Sequence, residues 1–64
     1  MTEKEFINLN INTFIYIEGI NGYRKYKILS KNYGEKEIYY KVKELADKQI
    51  ITLKKEDCWK WSKL

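Results

Sequence analysis

The feature that most constrains this chain is alternation with a period of two. From Ile7 to Ile17 the odd positions read Ile7, Leu9, Ile11, Thr13, Ile15 and Ile17, while the even ones read Asn8, Asn10, Asn12, Phe14 and Tyr16. Successive side chains of an extended chain point to opposite faces, so this is the pattern of a strand with one buried side. Asparagine is depleted in strands, which places the firm strand at Thr13 to Ile20 behind an N-terminal arm over residues 1–12. Within that arm Thr2 and Glu5 have the spacing of a capping box, enough for one short helical turn.

Asn21-Gly22 follows, a dipeptide suited to the type I′ turn that joins two antiparallel strands. The predicted return strand runs from Tyr23 to Ser30, with Tyr26 and Ile28 on one face and Lys25, Lys27 and Leu29 on the other. Lys31 to Glu35 holds an asparagine and a glycine and reads as a second break. Glu37 to Lys43 then alternates again, Ile38, Tyr40 and Val42 against Glu37, Tyr39, Lys41 and Lys43. Val42 to Gln49 also fits a helical face, but such a helix has only about two turns and is marginal alone, so a hairpin loop is preferred. Ile50 to Leu53 is a strand, Lys54 to Asp57 suits a single tight helical turn, and Cys58 to Trp61 reads as a last short strand with Trp59 and Trp61 on one face.

At 64 residues the chain is one small domain, here placed over 13–64. A chain of this size buries only about 60% of its unfolded surface. Its single cysteine permits no internal disulfide, so the ten aromatic residues and nine isoleucines must hold the fold. The expectation is an all-β domain: a strongly bent sheet of five short strands. A long first connection, a middle meander, a short helical turn and a final strand resemble the element order of an SH3-like barrel. The chain lacks the acidic loop and the Pro-Tyr pairing of a signalling SH3 domain. The alternative is an antiparallel sheet with one helix at Val42 to Gln49.

Several function classes lose their tools. There is no histidine, which removes the commonest general base and metal ligand. Cys58 has no recognised base or cation spacing around it and reads as a small buried hydrophobe, while Glu56 and Asp57, being adjacent, diverge. Zinc fails on ligand number, a phosphate loop on the scatter of Gly19, Gly22 and Gly34, and calcium on the lack of an acidic loop. The expectation is therefore a protein without catalytic residues, cofactor or metal. An unpaired thiol suits a reducing compartment, so the cytoplasm is expected. The acidic start lacks the form of a signal peptide, and the longest apolar run, Phe14 to Ile17, has four residues.

Binding remains. Thirteen cations against nine carboxylates give a net charge of +4, which favours anionic partners. Lys, Ile, Asn, Tyr and Glu supply 39 of the 64 residues, so part of that charge reflects AT-rich codons, as in a phage or mobile element. The first expectation is a protein-binding module, such as a phage or mobile-element inhibitor or adaptor of a host complex, docking through Trp59, Trp61, Tyr33, Tyr39 and Tyr23. The second is a nucleic-acid binder that uses Lys25, Lys27, Lys41 and Lys43 with Tyr39 beside them. Pairing of two copies through an exposed edge strand is compatible with either.

Overall fold

The computed structural model describes all 64 residues. A helix, α1 (Glu3–Ile7), precedes β1 (Phe14–Gly19), β2 (Gly22–Tyr33), β3 (Ile38–Glu44) and β4 (Ile50–Lys54), after which a 3-10 helix (Lys55–Lys60) leads into β5 (Trp61–Lys63). The five strands form one antiparallel sheet in the order β4-β3-β2-β1-β5. The sheet is open, with β4 and β5 at its edges, so the barrel expected from element order is not closed by strand pairing. No helix is long and apolar enough to cross a membrane.

Alternation does what the sequence requires of it. Ile15, Tyr26, Ile28, Tyr40, Val42 and Leu53 turn to one side of the sheet and are buried there. Trp61 joins them, its ring edge-on to Tyr26 with centroids 4.8 Å apart. The bend has a local cause. β2 pairs with β1 through Gly22 to Lys27 and with β3 from Tyr26 onward, and its register slips between Ile28 and Ser30. A bulge of this kind kinks a strand and increases its twist. The Ile28 amide and carbonyl are taken up by Thr13 O at 2.9 Å and Asn12 N at 2.7 Å, so the loop before β1 is tied to the bulge.

The N-terminal segment is more than an arm. Thr2 Oγ1 accepts from Glu5 N at 3.1 Å and Glu5 Oε1 accepts from Thr2 N at 2.9 Å, so the capping box forms. A five-residue helix does not persist on its own. It persists here because Phe6 and Leu9 are buried in the core, Phe6 meeting Tyr40 edge-on at 4.9 Å. The helix packs against the 3-10 helix.

Three other expectations are corrected, and one choice between alternatives is decided. Asn21 does not take the positive φ that a type I′ turn demands; the loop residues are Ile20 and Asn21, and only Gly22, at φ 113°, is left-handed there. β2 runs on to Tyr33, because pairing with β3 outweighs the asparagine and serine in its second half. Between Val42 and Gln49 the preferred hairpin loop is present and the alternative helix is not: β3 continues to Glu44, and the return to β4 passes through Lys48 at φ 66°. The last strand begins at Trp61 rather than Cys58, since the 3-10 helix extends through Lys60 and buries Cys58.

Candidate functional site

The outer face of the sheet is assembled from the residues that alternate with the core. Phe14, Lys27, Lys43 and Ile50 form one row across β1, β2, β3 and β4. Ser30, Lys41 and Thr52 form the next, and Asn32, Tyr39 and Lys54 the one after. On the other side of the first row lie Ser62, Tyr16 and Lys25, and beyond them Glu18 and Tyr23. Lys25, Lys27, Lys41, Lys43 and Tyr39 thus share one face, as the nucleic-acid reading requires. Glu37, expected among them, precedes β3 and is exposed beyond the strand.

The chemistry of this face is one-sided. Five ammonium groups, those of Lys25, Lys27, Lys41, Lys43 and Lys54, stand in four rows that hold no carboxylate. The ion pairs of the molecule, Lys55 with Glu3 at 3.8 Å and Lys60 with Asp57 at 3.3 Å, lie elsewhere. Lys41 Nζ donates to Thr52 Oγ1 at 2.6 Å and sits 5.9 Å from the centre of the Tyr39 ring. The polar neighbours Ser30, Asn32 and Thr52 are half-buried.

At the hairpin end, Tyr16, Tyr23, Lys25 and Leu64 line an open groove of about 400 Å³. The two tyrosine rings meet edge to face, with centroids 5.1 Å apart at 85°. Phe14 and Tyr16 carry the even parity of β1, and Lys54 that of β4. Sequence reasoning left all three out of the site, because alternation gives the face of a side chain but only the register shows which rows it completes.

The aromatic set is dispersed. Trp61, expected on the surface beside Trp59, is 5% exposed and belongs to the core. Trp59 is 72% exposed on the 3-10 helix, with Lys60 Nζ 5.5 Å from its ring centre. Tyr23 and Tyr33 are both exposed but occupy opposite ends of β2, about 33 Å apart along the strand. Tyr39 is half-buried on the basic face. These five rings do not make one patch.

The only arginine, Arg24, projects toward the other side with Tyr26. There Glu44 pairs across the strands with Tyr26, within electrostatic reach of Arg24 and of Asp47 in the β3–β4 loop. Glu44 is buried, and its Oε2 has no hydrogen-bond partner. Burial lifts its carboxyl above the usual value, the hydrogen bond and charge of Asp47 lift it further, and Arg24 opposes the rise. The Tyr26 hydroxyl is raised too, by burial first and then by the Glu44 charge, against the pull of Arg24. No group of three potential ligand side chains is placed to hold a metal ion. No protein-family model, curated protein or solved structure matches the chain.

Proposed function

We propose that this protein is a non-catalytic nucleic-acid-binding domain that holds the phosphate backbone on the outer face of its sheet. The observation that carries the reading is the set of five lysines in carboxylate-free rows, interleaved with Phe14, Tyr16 and Tyr39. Cations that neutralise phosphates, set among rings, are the means by which sequence-tolerant binders work. Lysine suits this role because it is a point charge on a flexible stem. The bidentate reading of guanine edges belongs to arginine, and the one arginine faces away from the site. The protein-docking reading draws less support, since of its five rings only Tyr23 and Tyr39 lie on the outer face, three rows or more apart.

The finer fold reading belongs with this proposal. The strand order, the bulged second strand and the 3-10 helix before β5 support an SH3-like barrel. In it the 3-10 helix, which joins β4 to β5 and packs against α1, stands in place of a hydrogen-bonded seam.

Anisotropy titration of labelled oligonucleotides over a range of salt concentrations tests the function. Five phosphate contacts correspond to a slope of log K against log salt of about −3.5 for a single strand and about −4.5 for a duplex. The double variant Lys27→Glu/Lys43→Glu is expected to abolish binding. Absence of binding by the unaltered protein at low salt overturns the reading.

A further inference from the structure

Resting on that reading, we infer that the groove between Tyr16, Tyr23, Lys25 and Leu64 seats one unpaired base, which makes the ligand a single strand. The groove is walled by two tyrosines and a leucine, with Lys25 as its one charged side chain. An edge-to-face pair leaves ring surface uncovered, and Tyr23 is 69% exposed. A base that stacks there keeps its own phosphate beside Lys25.

The charges around the groove also give the strand a direction of travel. Lys25 adjoins the row of Lys27 and Lys43, two residues further along β2 and about 7 Å away. On the opposite side, Glu18 stands across from Tyr23, and the hairpin ends in the fully exposed Ile20. A phosphate track that runs down the lysine rows therefore stops at the two tyrosines, because continuing would bring phosphate against carboxylate. A base can end the track in the groove only if it is not paired. The bases of a duplex are stacked inside it, and their faces are closed to such a seat. From the Tyr16 row to the Lys54 row is three row spacings, about 20 Å, enough for a few nucleotides of an extended strand.

The test compares a labelled octathymidine with a labelled duplex of equal length, titrated against the unaltered protein, Tyr23→Ala, Tyr23→Phe and Lys27→Glu/Lys43→Glu. Tyr23 is exposed, so its variants are expected to keep the fold, which circular dichroism checks. The inference expects tighter binding of the single strand by the unaltered protein, about a tenfold loss of that affinity in Tyr23→Ala, and retention in Tyr23→Phe. Duplex affinity is expected to be equal in all three. If Tyr23→Ala binds the single strand as well as the unaltered protein does, while the lysine variant binds neither acid, the groove is no base seat and the basic face stands without it. If the unaltered protein binds neither acid, the basic face itself is refuted along with the groove.

Discussion

Lys27 of β2 and Lys43 of β3 stand directly opposite each other on the outer face, with Phe14 and Ile50 completing their row. Like charges at paired positions destabilise a sheet, and no carboxylate in the row offsets them. Replacing one of the two by the opposite charge turns a repulsion into an attraction. Lys43→Glu is therefore expected to raise stability at low salt by about 0.2–1 kcal/mol, a few degrees in Tm. The gain should shrink as salt screens the pair. The same change should weaken nucleic-acid binding, so stability and function move in opposite directions. Thermal melts at low and high salt check the first half, and a variant less stable than its parent at low salt would contradict it.

Glu44 offers a test through pH. Its carboxyl titrates above the 4.5 of an unperturbed glutamate, chiefly because it is buried, with Asp47 adding to the rise and Arg24 opposing it. A group whose folded value is raised costs nothing below its unfolded value, where both states are protonated. As pH climbs from there through the folded value, the unfolded chain ionises more readily and the native state loses stability. Glu44→Gln removes that loss. The variant and its parent should thus unfold alike at pH 3, while at pH 7 the variant should be the more stable. Denaturant midpoints across this range would refute the argument if the gap between them were independent of pH.

The strands were legible because alternation is a local signal. Parity alone assigns Ile15, Tyr26, Ile28, Tyr40 and Val42 to one face, and each is buried. What eluded the sequence depended on contacts between distant segments. Phe6 lies in what reads as an arm until Tyr40, more than thirty residues later, supplies the partner that holds it. The two tryptophans were separated by a change of backbone type. A strand over Cys58 to Trp61 would set Trp59 and Trp61 on one face, whereas the 3-10 helix through Lys60 turns Trp59 outward and leaves Trp61 in the core. The basic face lay between these cases. Its lysines had the right parity, but whether Lys27 met Lys43 or slipped past it was decided by the bulge at Ile28, which leaves no mark in composition.

Tyr40 holds α1 both by its ring, edge-on to Phe6, and by its hydroxyl, and the hydroxyl can be removed while the ring stays. That hydroxyl donates to Phe6 O at 2.5 Å and to Ile7 O at 3.2 Å. Both carbonyls keep a second donor, the Leu9 amide at 3.3 Å and the Lys31 ammonium at 2.6 Å. Neither is orphaned by Tyr40→Phe, which puts the cost near the low end for a buried hydrogen bond, about 1 kcal/mol. The loss should be local before it is global, because five helical residues have little cohesion of their own. Amide exchange is expected to quicken at Phe6, Asn8 and Leu9, whose N–H groups bond within the helical segment, more than at Ile28 beside the bulge. Equal acceleration at all four amides would mean that α1 and the sheet open together, and that the Tyr40 hydroxyl is not what holds the helix down.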